Sequence, residues 1–207
     1  MATVEGKVPV TPTVNDAPAR QPILDFWFLR TDDPGHGNDR PEWFRKDPAF
    51  DASIRDRFLP DIERAIGGAF HDWDVDTKGA LARIIMLDQF TRNIFRGTSR
   101  AFAGDPLALQ CANALVDAGR DRLLSRVERS FVYLPFEHAE DPAMQDKGVA
   151  FYELLGREHG RPNAAAWAIK HRDIIARFGR FPHRNRLLGR ETTAEEIGFL
   201  NTPGSSF

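Results

Sequence analysis

Residues that start and end helices recur along this sequence at short intervals, and their spacing restricts the fold more than any other feature. Side chains that can cap a helix stand just before proline or three residues before glutamate, as in Asp105-Pro106 and Thr193-Ala-Glu-Glu196. Glycines that can end a helix follow, as at Gly119 and Gly179. The spacing predicts about seven to nine helices of roughly 8 to 19 residues. We predict N-caps at Asp51, Asp76 or Thr77, Asp105, Ser125, Asp141 and Thr193.

Strand signals are nearly absent, because the sequence has no Asn-Gly or Asp-Gly turn and no sustained alternation of polar and apolar residues. We therefore expect an all-α fold, either a multi-helix bundle or a short stack of helical hairpins of the tetratricopeptide-like kind. Pro22 fits the first position of a helix, and Pro60 is expected to kink or split the helix that ends at Ile66. We assign residues 1–21 to a flexible N-terminal tail and residues 22–207 to a single domain.

Charge and cysteine usage exclude several classes of protein. The formal net charge is −2 at pH 7, and the single cysteine, Cys111, cannot form an internal disulfide. We expect Cys111 to be a buried structural thiol in a reducing cytoplasm. No stretch approaches the roughly 20 apolar residues that a membrane span needs, and the N-terminus lacks the apolar core of a signal peptide. The sequence therefore predicts a cytoplasmic protein that does not act in a membrane.

The segment Leu87–Gly97 carries four polar side chains on one predicted helical stripe. Gln89, Arg92, Asn93 and Arg96 follow one another at i, i+3, i+4 and i+7. Two guanidinium groups and two amides on one face are suited to binding an anionic group. Asp88 and Arg92 stand four residues apart and are expected to pair. The alternative is a solvated face or a structural ladder of ion pairs.

The segment Tyr133–Asp141 ends a predicted helix with several acceptor groups. Adjacent helical residues point about 100° apart, so Glu137 and His138 do not chelate one metal ion together. We predict no metal and no cofactor. Glu137 is instead expected to bind an arginine of the 89–96 stripe. His138 is a candidate acid–base group, or else an ordinary core histidine.

The segment from His171 to Arg190 contains six arginines, two histidines and one acid, Asp173, which is expected to pair with Arg177. A turn at Gly179 and Pro182 can bring basic and amide side chains together near His171 as an anion receptor. These side chains are Arg180, His183, Arg184 and Asn185. The alternatives are a packed turn held by Phe178 and Phe181, or a nucleic-acid surface. We do not expect nucleic-acid binding, because the rest of the chain is acidic and no known motif is present.

Four segments resemble the signatures of a bacterial family of unknown function, domain-of-unknown-function family 924. They are Ile23–Phe28, Leu87–Gly97, Tyr133–His138 and His171–Asn185, and the resemblance runs from Pro22 to Leu200. It implies an all-helical fold related to tetratricopeptide-like domains, and it implies no activity. Thr91 stands where this family usually has proline, and Ala139 where it often has serine.

The leading functional hypothesis is a polar pocket between helices that binds a small anionic metabolite, such as a phosphate or carboxylate compound. Its predicted lining is Gln89, Arg92, Asn93, Arg96, Glu137, His138, His171, Arg180, His183, Arg184 and Asn185. An enzyme built this way would use His183 or His138 as general acid–base, Glu137 as the orienting carboxylate and the arginines as charge stabilisers. The alternatives are a scaffold that binds a peptide in a groove, a buried network that fixes helix register, and binding of nucleic acid by the 171–190 segment.

Overall fold

The computed structural model describes residues 17–205, and within this range it contains helices and turns but no strands. The all-α prediction is therefore confirmed, whereas a tetratricopeptide-like relation stays a prediction. The helices are α1 (Ala17–Phe28), α2 (Pro48–Ile66), α3 (Thr77–Ile84), α4 (Thr91–Ile94), α5 (Asp105–Asp117), α6 (Arg126–His138), α7 (Pro142–Glu158), α8 (Ala166–Phe178) and α9 (Ala194–Leu200). Residues 1–16 of the predicted tail lie outside the described residues. No helix between residues 17 and 205 is long and apolar enough to cross a membrane.

Local capping signals predicted several helix starts correctly. Asp76 accepts from the Gly79 amide, Asp141 accepts from two amides of α7, and Ser125 and Thr193 form complete capping boxes. The predicted cap at Asp51 is wrong, because Asp47 accepts from the first amides of α2 and the helix begins at Pro48. These caps need only a side chain and the backbone two or three residues ahead, so sequence spacing alone identifies them.

The structure contradicts the predicted position of Pro22 at a helix start and a split of α2 at Pro60. Helix α1 begins at Ala17, so Pro22 lies inside it rather than at its first position. Helix α2 runs without a break past Pro60 to Ile66. A proline removes one backbone hydrogen bond and crowds the preceding turn, but α2 buries Ile54, Phe58 and Ile62 completely or nearly so. Burial of that face outweighs the local loss.

Helix α6 lies at the centre of the fold, where it contacts α3, α5, α7 and α8. Its side chains Phe131, Tyr133 and Phe136 are fully buried. Phe131 packs edge-on against Trp27 of α1 and against Trp43. Trp43 is 6% exposed, as expected for a core residue, whereas its neighbour Phe44 is 75% exposed. Because α6 is packed on several sides, its C-terminal residues Glu137 and His138 end inside the molecule.

A π-helical segment, Ile85–Phe90, joins α3 to α4 in one continuous helical rod. All six of its residues are buried, including Asp88 and Gln89. Single π-helical turns inside α-helices occur often at functional sites, because the extra residue per turn re-aims the side chains. Here the π-segment directs a carboxylate into the core of the fold.

Gly104 lets the start of α5 approach this π-segment closely. Its φ of −87° is ordinary for any residue, so the requirement is for space. A Cβ atom at this position would lie 2.2 Å from the Leu87 carbonyl oxygen, far inside contact distance. The glycine therefore places Asp105, the first residue of α5, beside the residues that follow Leu87.

Candidate acid–base site

The three predicted segments meet around Asp88, which is fully buried in the π-segment. Its carboxylate lies 2.7 Å from His138 Nδ1 and 3.3 Å from Arg92 Nη1, and it also accepts from Gln89. The predicted pairing of Asp88 with Arg92 is confirmed. We call the surrounding group the Asp88 cluster and define it as Asp88, Arg92, Asp105, Glu137, His138, His171, His183 and Arg184.

Asp88 and His138 form a carboxylate–imidazole pair in which the carboxylate is ionised. Burial works against ionisation, but His138 and Arg92 together outweigh it and lower the pKa of Asp88. Burial and then Arg92 lower the pKa of His138 by more than Asp88 raises it. The imidazole is therefore neutral at pH 7 and donates its Nδ1–H to Asp88, which leaves the Nε2 lone pair as a base.

Glu137 and His171 form a second carboxyl–imidazole pair with a different charge state. Glu137 Oε1 lies 3.1 Å from His171 Nδ1, and the same nitrogen lies 2.9 Å from the Trp167 carbonyl oxygen. Burial, and then the charge of Asp88, raises the pKa of Glu137 to about 8, while burial lowers the pKa of His171 to about 3. Both side chains are therefore neutral at pH 7. Two sequence predictions were wrong: Glu137 contacts a histidine rather than an arginine, and Asp88 rather than Glu137 orients His138.

Asp105 joins two arginines that come from different segments. It accepts from Arg92 at 2.7 and 3.0 Å and from Arg184 at 3.2 Å. The predicted helix cap at Asp105 is wrong, since Gly104 holds the cap position of α5. Sequence reasoning missed this site residue because an Asp-Pro pair carries the same signal whether the carboxylate caps a helix or binds a distant arginine.

The four polar side chains of the 89–96 stripe contact two different sets of carboxylate groups, those of the Asp88 cluster and that of Asp51. Gln89 and Arg92 contact the Asp88 cluster, whereas Asn93 donates to Asp51 at 2.7 Å and Arg96 binds the same carboxylate at 3.3 Å. Asp51 belongs to α2, so Asn93 and Arg96 tie α4 to α2. Gln89 and Arg92 therefore belong to the candidate site, whereas Asn93 and Arg96 form structural contacts, as the alternative hypothesis for this stripe predicted.

The side chains of the 171–185 segment also fall into two groups, one at the Asp88 cluster and one that contacts α9. His171, His183 and Arg184 lie at the cluster, while Arg180 and Asn185 bind Glu196 at 2.7 and 3.1 Å. This carboxylate also completes the capping box of α9. The predicted pairing of Asp173 with Arg177 is wrong, because Arg177 binds Glu195 and Asp173 contacts Arg172. Arg180 and Asn185 therefore dock α9.

His183 is partly buried in the turn that follows α8, and its ring lies 5.6 Å from that of Phe181. Burial and then the charge of Arg184 lower its pKa to about 4. His138, His171 and His183 are therefore all uncharged at pH 7. A neighbouring guanidinium group disfavours protonation of an imidazole, so the charge of Arg184 helps to keep His183 uncharged.

A surface cavity of about 370 Å³ lies between Tyr152 of α7 and Pro162 in the following turn. None of the predicted pocket residues lines it. Between residues 17 and 205, no group of three or more His, Cys, Asp or Glu side chains is arranged to hold a metal ion. The Cys111 thiol is buried, and burial followed by the charge of Asp74 raises its pKa, which makes it a poor nucleophile.

Comparison with known proteins adds no activity. A family model described as a bacterial protein of unknown function (DUF924) matches residues 23–204. A solved structure of a protein of unknown function from Agrobacterium tumefaciens is 40% identical, with a TM-score of 0.78, and the match covers 90% of this chain and 99% of that chain. Among curated proteins, none matches this chain.

Proposed function

The chain belongs to this bacterial family of unknown function, as its four signature segments predicted, and we propose that the Asp88 cluster is an acid–base site for a small anionic metabolite. The proposal rests on residues of this chain, since the relatives carry no assigned activity. We further propose the cytoplasm as its compartment, because the one cysteine is a buried thiol with no disulfide role.

One observation carries the proposal: the 2.7 Å contact between Asp88 and His138 Nδ1 within a buried cluster that also holds two arginines. A carboxylate on one imidazole nitrogen selects the tautomer whose other nitrogen is a base, and it stabilises the imidazolium that forms after proton transfer. Three segments distant in sequence converge to build this arrangement. Strongly shifted pKa values concentrated in one cluster are typical of functional sites.

The proposed roles follow from the charge states. His138 Nε2 accepts a proton from the substrate, and Asp88 stabilises the resulting cation. Glu137, which is protonated at neutral pH because burial raises its pKa to about 8, is the candidate proton donor. Two carboxyl groups whose environments push their pKa values in opposite directions are suited to opposite acid–base roles. Arg92 and Arg184 attract the anionic group of the substrate, and His171 and His183 line the site.

The principal competitor is a buried network that fixes helix packing. Its support is the pairing of Arg92 and Arg184 with Asp105, which balances charge inside the cluster. The two hypotheses differ in what a substitution changes. A network residue contributes to stability alone, whereas a site residue also changes ligand affinity or the response to pH.

A thermal-shift screen with phosphate- and carboxylate-bearing metabolites tests the proposal. A ligand that binds only the folded state raises the melting temperature by mass action. We expect anionic compounds to stabilise the wild type and His159→Gln, whose exposed histidine lies at the end of α7, and to lose this effect in His138→Gln. Equal ligand shifts in His138→Gln and the wild type would favour the network instead. A peptide ligand with no dependence on His138 would favour a scaffold.

A further inference from the structure

Arg184 is a buried arginine with an unused donor. It ends the turn Pro182–Arg184 and is 6% exposed. Its Nη1 donates to Asp105 at 3.2 Å, but its buried Nε has no hydrogen-bond partner among the described residues. A buried donor without a partner is energetically unfavourable, and more so when the group is charged. An acceptor atom of a bound ligand would satisfy this donor and remove the unfavourable energy.

Arg184 shares its acceptor, Asp105, with Arg92, which binds that carboxylate more closely. Arg92 holds Asp105 through two nitrogens at 2.7 and 3.0 Å, both closer than the single contact from Arg184. Burial, and then the positive charge of Arg92, lowers the pKa of Arg184 to about 10. The charge of Arg184 is therefore less well compensated than that of Arg92.

Two aromatic rings hold the guanidinium group in place. Its central carbon lies 4.6 Å from the ring centroid of Phe102 and 4.5 Å from that of Phe181. These contacts favour the cation and restrict its orientation without using a hydrogen-bond donor. The two rings therefore fix the direction of the Nε edge and leave its donor unused.

We propose that the Nε–Nη2 edge of Arg184 is the subsite for a carboxylate group, which makes small monocarboxylic acids the substrate class of the acid–base site proposed above. A carboxylate matches the planar donor pair of an arginine. The ionised groups around it, Asp88, Asp105, Arg92 and Arg184, together with the Glu140–Arg190 ion pair, already balance in charge. A carboxylate adds one negative charge beside Asp88, Asp105 and Glu140, and a phosphate dianion adds two, so repulsion favours the carboxylate.

The test uses NMR of the full chain labelled with ¹⁵N, in which each buried arginine gives an Nε–H signal. Sodium acetate and glycolate are titrated at constant ionic strength, with acetamide and inorganic phosphate as matched probes. Arg83 is the internal control, because it is also buried with an unpartnered Nε but pairs with Asp74 outside the cluster. We expect the Arg184 Nε–H signal to shift saturably with the carboxylates and the Arg83 signal to stay.

Two variants assign the signals and measure the effect. Arg184→Lys keeps the charge but loses the planar donor pair, so carboxylate affinity is expected to fall about tenfold or more. Arg83→Lys is expected to leave that affinity unchanged. A stronger response to phosphate than to acetate would overturn the carboxylate class. No response at Arg184, or an equal response at Arg83, would overturn the subsite.

The imidazole signals of the same sample separate this inference from the proposal on which it rests. A proton that binds His138 above pH 7 would contradict the acid–base role whether or not Arg184 responds to acetate. Conversely, a ligand that perturbs His138 while the Arg184 Nε–H signal stays unchanged would retain the acid–base site and remove the carboxylate subsite.

Discussion

Asp88–His138 and Glu137–His171 are two carboxyl–imidazole pairs built from neighbouring residues of α6, yet they have opposite carboxyl charge states. Asp88 has Arg92 at 3.3 Å and loses its proton readily, whereas Glu137 contacts a neutral histidine and keeps its proton to a pKa of about 8. The nearby charge of Asp88 adds to this difference because it disfavours a second anion. Burial raises the pKa of Glu137, whereas His138 and Arg92 outweigh burial at Asp88, so one carboxyl group is protonated and the other ionised.

The largest expected effect comes from Asp88→Asn. This change removes a buried carboxylate from Arg92 and His138, so the free energy of unfolding should fall by about 3 to 5 kcal/mol. The pKa of Glu137 should fall as well, because the charge that raises it is gone. Urea unfolding and NMR titration measure the two effects. In Asp51→Asn, which loosens the contacts to Asn93 and Arg96, the loss should be about 1 kcal/mol, and equal losses in both variants would contradict the special position of Asp88.

Glu137→Gln should change the pH dependence of stability. The folded-state pKa of about 8 lies above the ordinary value of 4.5, so between these limits the folded protein binds a proton that the unfolded chain releases. The contribution of Glu137 to wild-type stability should therefore fall as pH rises through this window, by about 1.4 kcal/mol per pH unit relative to Glu137→Gln. The variant, which is neutral at every pH, lacks this loss and should be the more stable protein above pH 8. If the free energy of unfolding depends on pH in the same way for both proteins across this window, Glu137 is not protonated in the folded state at neutral pH.

The dependence of stability on pH below 6.5 tests the lowered pKa of His171. Its pKa is lowered from 6.5 to about 3, so in this window the unfolded chain binds the additional proton. The contribution of His171 to stability should therefore decrease as pH falls from 6.5 toward 3, by up to about 1.4 kcal/mol per pH unit relative to His171→Asn. The alkaline slope assigned to Glu137 serves as the internal comparison, because it should persist in this variant.

Gly104→Ala should disturb the Asp88–His138 pair selectively. The added methyl group would overlap the Leu87 carbonyl, so α5 must shift at an expected cost of about 1 to 3 kcal/mol. If Asp105 moves away, the pKa of His138 should fall, because Asp105 raises it. Gly198→Ala is the matched control, since a Cβ atom there meets nothing within 4 Å. Chemical shifts of both imidazoles report the outcome, and a larger response from His171 than from His138 would contradict it.

The smallest effect is expected from Arg96→Gln. The Arg96 side chain is 41% exposed and pairs with Asp51 outside the cluster, so its loss should cost less than about 1 kcal/mol. Neither His138 nor His171 should change its titration. Histidine titrations in this variant that differ from those of the wild type would show that the Asp51 contacts belong to the same electrostatic unit.

Two Asp-Pro pairs show why the site was predicted only in part. Asp105-Pro106 and Asp141-Pro142 carry the same local signal, and both begin a helix. Asp141 caps its helix, whereas Asp105 binds Arg92 and Arg184. The choice depends on whether a guanidinium group from another segment reaches the carboxylate, and spacing along the chain does not contain that information.

The sequence by itself determined the all-helical class, four of the N-caps and the family, because each depends on contacts within a few residues or on the order of signatures. It also identified the three segments that meet, and the Asp88–Arg92 pair, which spans one helical turn. Only the tertiary structure decided that Asp88 orients His138, that Glu137 keeps its proton, and that Asp105 joins two arginines. These features depend on burial and on charges brought from distant segments, and both arise only when the helices pack.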